Sequence, residues 1–174
     1  MKNKRFGQSV FVVIIFLLAI VFLIYQSSKT FESKDIKQVK ISGQSIKVEL
    51  ALTPLQQERG LSGRSAIAPD EGMLFVFSGG ARRFWMKDMN FPIDIIWIGE
   101  DLRVIYIKKD ARPASPELQR GEPESYSPRF GEAGPETYGP DPSLGDAKYV
   151  LEVVSGFSEK YNLKEGDKVE FLYK

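Results

Sequence analysis

"FWMKDMNFPIDIIWIGEDLRVIYIK", Phe84 to Lys108, carries the reading of the fold. In an extended chain, side chains alternate between faces. Ile93, Ile95 and Trp97 then share one face, and Asp94, Ile96 and Ile98 share the other. Both faces are largely apolar, so this strand is expected to be buried on both sides. A turn at Gly99-Glu100-Asp101 leads into a partner strand, Arg103 to Lys108. Upstream, the segment Arg82 to Lys87 puts Phe84 and Met86 on one face and Arg83, Trp85 and Lys87 on the other. The intervening "DMNFP", Asp88 to Pro92, predicts a turn that pairs this segment with Ile93 to Ile98.

Working outward, Val39 and Ile41, then Ile46, Val48, Leu50 and Leu52, alternate at period two and predict two strands joined at Ser42-Gly43-Gln44. "TPLQQERG", Thr53 to Gly60, spells a short helix. Thr53 is its N-cap, Pro54 its first residue, Gln56 the reciprocal cap and Gly60 the stop. Further strands are predicted at Gly72 to Phe77, Ala147 to Val154 and Lys168 to Tyr173, with a second short helix near Ser158 to Leu163. About eight strands and two short helices, without a strand-helix rhythm, predict a mainly β (α+β) domain. A compact antiparallel sheet or a partly closed barrel fits that pattern.

The start of the chain has another character. Val10 to Tyr25 (VFVVIIFLLAIVFLIY) is a continuous apolar and aromatic run. From Phe6 to Tyr25 a helix would span about 30 Å, the thickness of a bilayer core. Lys2, Lys4 and Arg5 precede the run, and no acid occurs before Glu32. By the positive-inside rule, residues 1–5 stay cytoplasmic, 6–25 span the membrane and the remainder is delivered outside. Cleavage as a signal peptide is the alternative, with Ser27 and Ser28 as its only small residues near the exit. Residues 26–36 read as a polar tether, and 37–174 as the extracytoplasmic domain.

Within that domain, residues 111–144 hold seven of the ten prolines and show no periodicity. They read as a long loop, either a plain insertion or a docking segment. Without Lys2, Lys4 and Arg5, 21 basic residues face 23 acidic ones, a net of −2. Such a mixture offers no phosphate-neutralising face, so nucleic acid is not an expected partner. The chain has neither cysteine nor histidine. That removes disulfides, redox thiols, Ser-His-Asp and Cys-His catalysis, and zinc sites with sulfur or nitrogen ligands. No Ser-x-x-Lys occurs either. No stretch has the spacing of a calcium-binding loop, and no cofactor is expected.

Five stretches recur in a recognisable order: "ERGLSGR" (Glu58 to Arg64), "GMLFVF", "FWMKDMNFPIDIIWI", "YVLEV" (Tyr149 to Val153) and "LKEGDKVEF" (Leu163 to Phe171). Together they resemble the domain-of-unknown-function family 192 (DUF192) over nearly the whole outer domain. The resemblance implies a small, mainly β domain, often behind a signal or membrane anchor in prokaryotes, and no established activity. This chain departs from the family spelling at Ser62, where methionine is usual, and at Asp88-Met89, where asparagine-threonine is usual.

Five residues are candidates for binding: Arg59, Arg64, Trp85, Lys87 and Asp94. Arg59 and Arg64 flank Leu61-Ser62-Gly63, and an arginine beside a glycine turn can present its fork to an anion. Trp85 between Arg83 and Lys87 suits a carboxylate, a sugar or a peptide laid across it; rim packing under cationic stems is the plainer alternative. Asp94, in an apolar strand, requires a cation or several N–H donors. It is also the candidate catalytic residue, with Glu71 as a second acid. Met73, Met86 and Met89 read as core filling or as an adaptable groove.

Three functions compete. The first is a membrane-anchored extracytoplasmic binding or accessory domain that recognises an envelope component or a partner protein. The second is a carboxylate-dependent hydrolase of glycan or peptide envelope material. The third is a scaffold that docks a partner through its Pro-rich loop.

Overall fold

The computed structural model describes residues 33–78, 83–113, 137–144 and 146–173. After a 3-10 turn at Ser33–Asp35 come β1 (Ile36–Ile41), β2 (Gln44–Ala51), α1 (Pro54–Arg59) and β3 (Glu71–Val76). The chain continues through β4 (Phe84–Trp85), β5 (Ile93–Gly99), β6 (Val104–Ala111) and β7 (Thr137–Tyr138). A 3-10 turn at Pro142–Leu144 leads to β8 (Ala147–Val154), α2 (Phe157–Lys160) and β9 (Val169–Tyr173). A mainly β domain with two short helices, as the sequence predicts, is what these residues form.

Seven strands form one sheet in the order β6-β5-β8-β3-β2-β1-β9, and β4 and β7 form a separate pair. The large sheet curls into a half-barrel. Its two edges approach at one end, where Arg103 bridges Lys168. Around that bridge the Val104 N–H donates to Asp167 O (2.9 Å), Gly166 N–H to Val104 O (2.8 Å) and Val169 N–H to Leu102 O (2.8 Å).

β5 is buried along its entire length. Ile96 and Ile98 pack with Leu74, Leu151, Val153 and β1 on one side of the sheet. Ile93, Ile95 and Trp97 pack with Met73, Phe75, Met86 and Met89 on the other. The alternation read from the sequence therefore separates two apolar clusters, and the three methionines belong to the core. Trp97 sits between Phe84 (5.7 Å between centroids) and Tyr106 (5.3 Å).

α1 begins as its spelling requires. Thr53 Oγ1 accepts from the Gln56 N–H at 3.3 Å, and the Gln56 side-chain oxygen accepts from the Thr53 N–H at 3.0 Å. Gly60 ends the helix at φ +47°, a region that strains residues bearing a Cβ.

Two expectations of strand pairing need correction. β4 does not pair back onto β5 through Asp88 to Pro92. It pairs with Thr137–Tyr138, at the far end of the Pro-rich segment, so that segment is not wholly irregular. The sheet is not purely antiparallel either, because β2 and β3 run parallel, joined by the crossover that carries α1. The apolar run at 6–25 lies outside the described residues. Among the described residues no helix is long and apolar enough to cross a membrane.

Candidate functional site

Strand register builds the site. On β8, Leu151 and Val153 face one cluster, while Val150 and Glu152 face the other. Glu152 stands opposite Met73 on β3 and Ile95 on β5. Met73 in turn stands opposite Glu49 on β2. Glu49, Met73, Glu152 and Ile95 thus form one cross-strand row on one face.

Glu152 is the unusual member, only 5% exposed, and its Oε2 has no hydrogen-bond partner. Burial pushes its carboxyl up to about 8, while the charge of Arg64 pulls the other way. At neutral pH the group keeps its proton, because an unpaired carboxylate in an apolar setting is costly. Arg64 meanwhile forks onto Glu49, Nη1 to Oε1 and Nη2 to Oε2, both at 2.6 Å. Those bonds hold the Glu49 carboxyl below its usual range.

The loop Gly60–Arg64 roofs this row. A Cβ on Gly60 would lie 3.3 Å from Phe75 Cζ and 3.8 Å from Glu152 Oε2. Leu61 is buried in the same cluster as Met73 and Ile95. The roof is tied to the loop after β4 by three hydrogen bonds. Ser62 Oγ donates to Lys87 O, the Gly63 N–H to Asp88 O, and the Asn90 side-chain amide to Arg64 O, each at 2.9 Å. Ser62 and Asp88, two departures from the family spelling, therefore lie in segments bonded to each other.

Beyond the roof, Trp85 is 45% exposed, with Lys87 Nζ 5.3 Å from its ring centroid. Arg83 also points outward and grips Thr137 through Oγ1 (2.9 Å) and the carbonyl (2.7 Å). An open pocket of about 130 Å3 lies beside Arg64, lined by Lys47, Glu49, Ile67 and Glu71 among others. Among the described residues no group of three acidic side chains gathers as a metal site would need.

Of the five sequence candidates, Arg64 and Lys87 thus fall on two loops that are bonded together, and Trp85 ends β4 just before the second loop. Arg59 is exposed on the last turn of α1. Asp94 is elsewhere. It stands opposite Val153, on the other face of the sheet, whereas Glu71, adjacent to Gly72, faces the Glu152 side. Asp94 and Glu71 therefore do not face each other. Fully buried, the Asp94 carboxylate accepts three backbone N–H bonds: Asp110 (2.9 Å) and Gly156 (3.2 Å) at Oδ1, and Ser158 (2.8 Å) at Oδ2. Gly156 offers α2 no side-chain cap, and Asp94 supplies that cap from a neighbouring strand. Its donors are main-chain amides rather than a cation, and the turn it caps is Gly156 to Ser158.

Glu152 was not among the candidates. Its only signal was an acid inside the apolar run "YVLEVV", which reads equally well as the polar position of a half-exposed strand.

The fold and this site define a small half-barrel domain with a roofed, buried glutamate. The DUF192 family model, an uncharacterized ACR, matches residues 37–171, and the chain belongs to that family. A protein of unknown function from Novosphingobium aromaticivorans has a similar structure, with a TM-score of 0.62 and 29% identity over 78% of this chain and 84% of that one. A candidate transcription regulator from Sinorhizobium meliloti is similar too, with a TM-score of 0.60 and 29% identity over 77% of this chain and 92% of that one. None of the curated proteins matches this sequence.

Proposed function

We propose that the protein is a membrane-anchored extracytoplasmic binding or accessory domain that recognises an envelope component or partner. Its recognition surface is the place where the Gly60–Arg64 roof meets the Lys87–Asn90 loop. The observation that carries this reading is the trio of hydrogen bonds joining the two loops. They hold the loop bearing a forked arginine against the segment bearing an exposed aromatic and its lysine, an arrangement suited to a polar ligand with a flat apolar face. The near-balanced charge of the outer domain favours such a ligand over nucleic acid.

Two measurements test it. Alkaline carbonate should leave the full chain in membranes, and protease added to spheroplasts should remove the domain from residue 37 onward. Extraction by carbonate, or full protection from protease, would overturn the anchored topology. On isolated cell-wall sacculi, replacing both Trp85 and Lys87 with alanine should lower retention of the full chain about tenfold. Unchanged retention would remove this surface from the reading.

The hydrolase alternative keeps one specific support, the contrast between Glu49, held low by Arg64, and Glu152, held high by burial. Two carboxyls pushed apart in this way can serve as base and acid. Release of soluble fragments from the same sacculi, abolished by Glu152→Gln, would favour it.

A further inference from the structure

Glu152 and Glu49 stand on the same face two strands apart, with Met73 between them. At about 4.8 Å per strand, their backbones are about 10 Å apart. Arg64 hangs from the roof above this row and, among the described residues, is the one cation acting on the buried carboxyl. Its guanidinium forks onto Glu49, a half-exposed partnership that surrounding water can replace. Nothing replaces a partner for Glu152 Oε2, which lies within the core without a hydrogen bond. The roof starts at Gly60 (φ +47°) and carries Gly63 (φ +76°) just before Arg64, so both sides of Leu61-Ser62 have wide backbone freedom.

We propose that Arg64 is shared between the two carboxyls: when Glu152 releases its proton to solvent, the guanidinium leaves Glu49 and turns inward to Glu152. Movement of Arg64 would be transmitted through its carbonyl to Asn90, and through Ser62 and Gly63 to Lys87 and Asp88. The core carboxyl thereby regulates the surface on which the proposed binding function rests.

The groups around Glu152 define the balance. From the roof comes Arg64, from β2 Glu49, and from β3 the uncharged Met73 and Phe75 with Glu71 beside them, which also acts on Arg64. From β5 comes Ile95, and beyond it, on β6, Lys108 closes the row. Asp94 faces the other way. Among the described residues, Arg64 alone combines a positive charge that acts on this carboxyl with a place in the roof loop.

The test uses the full chain in detergent micelles, without any ligand, so its failure is distinct from failure of the binding reading. Side-chain carboxyl carbons of glutamate and guanidinium nitrogens of arginine are followed by NMR from pH 5 to pH 10. One glutamate, absent from the spectrum of Glu152→Gln, should titrate near 8, and the Arg64 signals should move with the same midpoint. In Glu49→Gln, where Arg64 is released to the core, that midpoint should fall by about one pH unit or more. This second variant changes a half-exposed side chain and keeps the test alive if Glu152→Gln does not fold. Arg64 signals that stay fixed through the Glu152 titration, or a midpoint unmoved in Glu49→Gln, would overturn the proposal.

Discussion

Asp94 and Glu152 occupy adjacent strands and are both removed from water, yet they are opposite solutions to the same problem. Asp94 faces the cluster that contains β1 and α2, and three main-chain N–H groups satisfy it. Glu152 faces the cluster beneath the Gly60–Arg64 roof, and one of its oxygens meets no donor. The difference teaches that burial alone does not define the role of an acid. The donors around it do: the first carboxylate fastens pieces of backbone together, and the second is a group left open to change.

The sharpest way to break this comparison is to remove the fastener. Asp94→Ala strands three N–H groups, and it should destabilise the domain by about 4 kcal/mol or more in urea unfolding. A loss below about 1 kcal/mol would mean that α2 and the end of β6 hold without it.

Glu152 should show itself through pH. Its carboxyl is raised from 4.5, the value expected of an unfolded chain, to about 8. The folded protein therefore keeps a proton that the unfolded chain gives up. Its contribution is complete below about pH 4.5, declines as pH rises, and is lost above about pH 8. Wild-type stability should fall by a few kcal/mol across that window relative to Glu152→Gln. Parallel pH profiles for the two proteins would place the charge of Glu152 outside the core.

A smaller effect is expected at the roof. Gly60→Ala forces a Cβ into a left-handed residue and against Phe75 at 3.3 Å. A loss of about 1–2 kcal/mol should follow in thermal unfolding. Its magnitude measures how firmly the roof rests on the row below.

Much of this architecture could be read from the chain. "AKYVLEVV" marks β8 to the residue, "TPLQQERG" spells the capped helix, and the two apolar faces of β5 follow from alternation. Local patterns suffice there because each element reports its own periodicity. Pairings were less legible. β4 joins Thr137–Tyr138 rather than the neighbouring β5, and β2 joins β3 in parallel, because a strand's partner is decided by global packing rather than by its own residues. The site divided in the same way. Trp85 and Lys87 declared their outward face, and Arg64 lies on the loop bonded to that of Lys87. The demand of Asp94 for donors was evident, but the donors belong to Asp110, Gly156 and Ser158. Glu152 became conspicuous only once Met73, Ile95 and Gly60 were seen around it.

The bridge between Arg103 and Lys168 has a consequence for how such a chain is made. β1 lies between β2 and β9, and β9 is the strand that also meets the start of β6. During synthesis β1 and β2 can form their hairpin early, but one flank of β1 stays open until Val169–Tyr173 has emerged. Until then the growing chain presents an unpaired row of amides and carbonyls, the kind of surface on which a neighbouring nascent chain can template itself. The last strand is thus a latch, and the interval before it closes is the domain's most exposed moment.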